Sequence, residues 1–310
     1  MFRVARCGGG RKGERPGHAP GLTAAVVVTL CVSLVAPAPA RAQADASTEL
    51  TVLGANVLLG GVTAGVTALM QGRPFWRAFG LGAAGGAMVY GGKRFMSWHG
   101  VPGSGLAGRF LGATGASMVR NGAAGRDAFD LVLLPMGPFT LYLRPPRDSA
   151  NAPVKINLAR AAYIMGLVLR DDFRLDVPAS VHAATPVFER PGKVLFRSRD
   201  QVTLGLSICG TVIVGDPWSM RLVHRPPYGE LLAHERVHVV QGDFVEIAWT
   251  GPIEQWLLGE LPGGAWLRRY VEPGFLGLAI AVAGLAAFPG DDGPWEKEAE
   301  YFESAWDVGP

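Results

Sequence analysis

The run from Glu230 to Gln241 contains neither proline nor an internal glycine, in a chain that has 43 glycines and 23 prolines, and it holds His234-Glu235-Arg236-Val237-His238. Such a stretch predicts a helix, with Pro226 and Pro227 marking its start. At about 100° per residue, His234 and His238 leave one face a turn apart, so both imidazoles can reach a single tetrahedral cation. Glu235 lies about a quarter-turn round, close enough to take a proton from a water at that cation without becoming a ligand. The spacing therefore assigns His234 and His238 to a metal, zinc by preference, and Glu235 to general-base work.

The residues that follow narrow the class of site. A metzincin helix needs Gly three residues past the second histidine and a third histidine three further on; here those positions hold Gln241 and Phe244. A gluzincin instead draws a carboxylate from a separate downstream helix. Asp291 to Glu300 reads as the start of one, with Pro294 in the first turn and acids that suit a helix N-terminus.

His234-Glu-x-x-His238 followed by Glu296-x-x-Ala299-Glu300 resembles the HExxH plus ExxA(D/E) arrangement of membrane-embedded gluzincin peptidases of the CaaX-protease and heat-shock HtpX type. The Leu-Ala-His-Glu-x-x-His-x-x-Gln form is also similar to bacterial domains that carry an HExxHxxQ helix. The resemblance covers about the last 80 residues. It implies a zinc ion held by His234, His238 and Glu296, Glu235 as base, and a peptide or protein substrate.

Helical phase separates the three downstream acids. On a helix beginning near Pro294, Glu296 and Glu300 share a face, whereas Glu298 points about 200° away. Glu296 is the expected third ligand, Glu300 the expected hydrogen-bond partner of a ligating imidazole, and Glu298 is expected to matter little. Small Ala299 allows close approach to the motif helix, and Trp295 and Phe302 can anchor the helix in the core. Gln241 either orients a ligand, contacts substrate, or caps the helix end before Gly242. Tyr228, His224 and Tyr301 are candidate donors to a developing oxyanion. A rival reading is a non-catalytic envelope module with a structural metal closed by a fourth ligand, for which Asp243, Glu246 and His224 are at hand.

Elsewhere the sequence speaks mainly to location. The first 44 residues carry six Lys/Arg and one acid, then an apolar run from Leu22 to Ala36, then small-x-small sites at Ala40-Arg41-Ala42 and Ala42-Gln43-Ala44. This is the pattern of a cleaved secretory signal and predicts export to a bacterial-type cell envelope. Without that segment 23 basic and 25 acidic residues remain, which excludes a basic nucleic-acid surface. Only Cys209 would then be left, so neither an internal disulfide nor a cysteine metal site is expected.

The rest divides into three zones and predicts an α+β fold. From 45 to 126 the chain is Gly/Ala-rich, with apolar stretches at Val52–Met70, Ala78–Gly92 and Leu106–Met118. The four-residue spacings Gly61/Gly65 and Gly82/Gly86 predict closely packed helices, read as membrane-inserted. From 127 to 220 strand signals prevail: hairpins around Pro135–Pro138 and Arg190–Lys193, and a β-branched run from Val202 to Val214; Ala159–Arg170 reads as a helix, and His182 as no ligand. From 221 to 310 lies the zincin-like helical part, including an apolar run Phe275–Phe288 expected as a buried core helix or a short re-entrant one.

Overall fold

A computed structural model describes residues 46–98, 101–143, 152–192, 195–197, 202–203, 205–215, 228–287 and 293–304; the signal-like segment, His224, Pro226 and Pro227 lie outside them. The architecture is α+β.

The Gly/Ala zone forms three consecutive helices: α1 (Ala46–Met70), α2 (Phe75–Ser97) and α3 (Ser104–Ala123). The break at Gln71–Pro74 falls where the sequence places it, with Gly72 at φ +68°. Glycine sets the spacing between the helices. A Cβ at Gly86 would strike the Asn56 carbonyl of α1, and one at Gly92 would lie 2.7 Å from the Gly108 carbonyl of α3. Any larger residue there would push the backbones apart. Gly61 and Gly65 instead receive the rings of Phe79 and Phe75.

Among the described residues, α1 alone is long and apolar enough to cross a membrane. Its outward face leaves Leu58, Val62, Val66 and Leu69 exposed. Helices α2 and α3 turn charges inward. Lys93 and Arg94 of α2 meet Glu298 and Glu49, and Arg109 of α3 meets Asp243. Each cation sits opposite a carboxylate because an unpaired buried charge would cost several kcal/mol, of order 3–5.

A first sheet has the order β1 (Leu133–Met136), β2 (Phe139–Tyr142), β3 (Val154–Asn157), β10 (Val271–Glu272). The expected four-residue turn is only Gly137-Pro138, with Gly137 at φ +54°; Pro135 and Met136 belong to β1. Proline is tolerated there because β1 is an edge strand. Asn157 then caps α4 (Leu158–Val168), close to the helix read from the sequence. Strand β10 pairs with β3, so the C-terminal part is joined to the β zone by backbone hydrogen bonds.

The second sheet has the order β4 (Arg174–Leu175), β5 (Val187–Arg190), β9 (Thr211–Gly215), β8 (Gly205–Ile208), with α5 (Val177–Ala183) between β4 and β5. Among the described residues, the strands on either side of Arg190–Lys193 do not pair with each other as a hairpin would require. β5 pairs instead with β4 and, in parallel, with β9, while β6 (Phe196–Arg197) pairs with β7 (Val202–Thr203). Burial decides this: Val187 and Phe188 lie beside Val212, Ile213 and Val214, all at most 4 % exposed. The Val202–Val214 run splits at Cys209-Gly210, both at positive φ, which makes a tight β8–β9 hairpin.

Candidate metal centre

The motif helix, α6, spans Tyr228–Val245 and passes through Gly242, four residues beyond its expected end. A π-helical turn (Glu246–Thr250) and α7 (Gly251–Glu260) continue it. An interior glycine costs about 1 kcal/mol, but the turn beyond it is held by burial of Asp243, Phe244 and Val245. Asp243 accepts from both Arg109 and Arg160, and Glu246 from Arg160 and Asn157.

Helix α10 (Pro294–Ser304) packs across α6 and α2. Ala299 and Phe302, both fully buried, meet Val237 and Tyr90, and burying the Phe302 ring alone stabilises by about 1.5–3 kcal/mol. Ala299 takes the close-packing role its size predicts. Trp295 does not serve as an anchor; it remains 41 % exposed.

These contacts bring His234, His238 and Glu296 together. Nε2 of His234 lies 3.1 Å from Nε2 of His238 and 3.1 Å from Oε2 of Glu296, and His238 Nε2 lies 3.2 Å from the same oxygen. Three atoms so spaced form one face of a tetrahedron whose corners are about 1.9 Å from its centre, close to the 2.0–2.2 Å of zinc–nitrogen and zinc–carboxylate bonds. The donor set therefore fits a metal ion. Among the described residues no fourth ligand closes the group.

The outer atoms of both imidazoles are held by protein. His234 Nδ1 lies 2.9 Å from Glu303 Oε2, and His238 Nδ1 lies 2.7 Å from Gln241 Oε1. Each acceptor holds the Nδ1 side of its ring and turns Nε2 towards the centre. Gln241 is in turn fixed, donating to Glu298 Oε2 at 2.8 Å and to the Trp295 carbonyl. Glu298 also accepts from Lys93 Nζ at 2.7 Å and from Asn56 Nδ2 at 2.6 Å. Residues of α1 and α2 thus brace, through Gln241, the His238 imidazole on α6.

Two expectations about α10 are corrected here. Glu300 is exposed and does not touch the imidazoles; Glu303 takes the place assigned to it. The helices run antiparallel: Gln241 meets Trp295 and Glu298, whereas His234, earlier on α6, meets Glu303, later on α10. Glu298 is central rather than inert, because its face meets Gln241 and α2. The helix-capping reading of Gln241 also falls, since α6 does not end there. Glu303 had a sequence signal: seven residues after Glu296 is within about 20° of the same direction. Asn56 had one too, as a lone amide in an apolar stretch of spanning length.

Glu235 is 4 % exposed, and its Oε2 has no protein partner. Its other oxygen abuts Gly205 of β8 so closely that a Cβ there would collide with it. Burial raises the Glu235 pKa, with the two imidazoles working against the shift. Burial also disfavours a charged His234, but the Glu296 and Glu303 carboxylates prevail and raise it to about 10. Glu296 is shifted the other way: burial opposes its charge, and the two imidazoles overcome that and lower its pKa.

Of the candidate oxyanion donors, the Tyr228 hydroxyl donates to Asp176 and Tyr301 is hydrogen-bonded to Tyr90. His182 lies 3.5 Å from the buried Arg236 guanidinium, apart from the metal cluster. No family model, no curated protein and no solved structure matches this chain.

Proposed function

We propose that this chain is an exported, membrane-associated, zinc-dependent hydrolase, and specifically a gluzincin-type metallopeptidase. The observation that carries the reading is the His234–His238–Glu296 triangle with both Nδ1 atoms anchored from outside, an imidazole and carboxylate set suited to zinc, with no fourth protein ligand among the described residues. Zinc bound there supplies a Lewis acid that polarises a scissile carbonyl and acidifies a water molecule. Glu235, beside His234 and shielded from solvent, accepts the water's proton and passes it to the leaving amine.

A peptide substrate is favoured by β8. Among the described strands β8 is an edge, and its Gly205 backbone meets Glu235, so an extended chain added to that edge would pass the base. The membrane reading rests on α1. The structural-metal alternative loses two of its three fourth-ligand candidates, because Asp243 and Glu246 are bound to Arg109 and Arg160.

The test is metal analysis together with a base variant. The purified chain should carry about one zinc, removable by a chelator. Glu235→Gln should keep the zinc and lose hydrolysis of an unfolded protein. Background metal in the parent, or parental activity in Glu235→Gln, would overturn the proposal.

A further inference from the structure

The segment that follows the motif helix has a surface the metal centre does not use. Over α7, α8 (Gly264–Leu267) and the residues up to Tyr270, the large apolar side chains point outward: Trp256 is 62 % exposed, Leu261 58 % and Trp266 61 %, with Leu257, Leu267 and Tyr270 beside them. Three of the chain's eight tryptophans fall between 249 and 266, a clustering that a purely solvated surface does not explain. Trp266 and Tyr270 pair ring to ring at 5.3 Å, and the exposed Arg268 and Arg269 lie between them in sequence. Large amphipathic rings with guanidinium groups among them match the boundary of a bilayer, where rings sit at headgroup level and cations meet phosphate.

The backbone of this segment suits that setting. Gly264, Trp266, Leu267, Arg268, Arg269 and Tyr270 all donate their N–H to carbonyls three or four residues earlier. Glu254, buried, accepts from the N–H groups of Gly274 and Leu276 and ties the segment to the start of α9 (Phe275–Ala287). A segment with its amides satisfied can enter a lipid interface without stripping polar groups of partners. Helix α9 is not the buried core helix of one expectation, since Phe275 and Val282 are each 53 % exposed.

Position supplies the second argument. Trp249 Nε1 donates to Thr63 Oγ1, which ties the start of the segment to α1. At Gly251 the chain passes the Arg120 guanidinium near the end of α3, and Arg73, just after α1, donates to Ala123 at that same end. The start of the segment is thus tied to α1 and to the end of α3, the end at which Arg73, just after α1, also binds.

We propose that residues 251–270 and the C-terminal end of α1 form one bilayer-docking face, with Trp256, Leu261 and Trp266 inserted at the acyl–headgroup boundary and Arg268 and Arg269 on anionic phospholipid phosphates. The face is separate from the metal centre and does not rest on hydrolysis. The full chain, purified in detergent, is reconstituted into nanodiscs of brominated phosphatidylcholine with or without phosphatidylglycerol, and quenching of tryptophan fluorescence is read. The Trp256→Phe/Trp266→Phe variant should lose about half of the parental quenching. The Arg268→Gln/Arg269→Gln variant should lose the increment that phosphatidylglycerol adds. Both should keep the parental zinc content, so a protein that fails the metal test still reports on this face. Quenching unchanged in the tryptophan variant would overturn the proposal. So would a variant that converts a dimer to a monomer in detergent with its quenching intact, because a second copy would then cover the face.

Discussion

Oε2 of Glu303 lies 2.9 Å from Nδ1 of His234, so the outer nitrogen of that imidazole is held by the last turn of α10. This contact, rather than one from Glu300, orients the imidazole, and it sets the first prediction. Glu296→Gln should abolish tight zinc binding. Glu303→Gln should weaken it by about 10–100-fold, and Glu300→Gln should leave it near the parental value. Competition with a chelating fluorophore measures all three. Equal losses in the Glu300 and Glu303 variants would place α10 in a different rotation.

Glu298 joins three elements, accepting from Asn56 of α1, Lys93 of α2 and Gln241 of α6. Glu298→Ala strands the buried Lys93 ammonium and should destabilise the fold by about 3–5 kcal/mol. Replacing both partners, Lys93→Met with Glu298→Met, should recover much of that loss while zinc affinity stays low, because Gln241 is still unheld. Denaturant midpoints and zinc titration on the same samples separate the two effects.

Asp243 sits between two buried arginines, 3.1 Å from Arg109 Nε and 2.7 Å from Arg160 Nη2. Asp243→Asn should therefore cost about 3–5 kcal/mol of stability, yet zinc stoichiometry in the folded protein should be unchanged. Loss of zinc with stability intact would restore Asp243 as a ligand and favour the structural-metal reading.

The candidate metal centre also carries a pH dependence of definite sign. In the metal-free protein His234 is raised to about 10 from 6.5, so the folded state holds a proton that the unfolded state has released between those values. That contribution to stability is complete below pH 6.5 and is lost as pH rises towards 10. Zinc binding displaces the same proton, so zinc affinity should increase across the same interval. Melting temperatures with chelator should fall from pH 6.5 to 10 as those with zinc hold or rise. Parallel curves would show that His234 does not exchange its proton for metal.

The sequence alone determined the local relations. HExxH on an unbroken helix places two imidazoles on one face and a carboxylate beside them, because about 3.6 residues per turn fixes their directions regardless of the rest of the fold. The phase of the downstream helix likewise put Glu296 and Glu300 on one face and Glu298 on another, and the resemblance to gluzincins pointed to Glu296. What the sequence left open was how one helix lies against another. The choice of Glu303 over Glu300, the part played by Glu298, and the work of Gln241 all depend on α10 running antiparallel to α6 with Phe302 and Ala299 buried against Tyr90 and Val237. The passage of α6 through Gly242, and the pairing of β5 with β9 rather than with β6, the next strand along the chain, were decided in the same way. Each was settled by burial and charge pairing between residues distant along the chain, terms that outweigh about 1 kcal/mol of local propensity and are set only once the chain has packed.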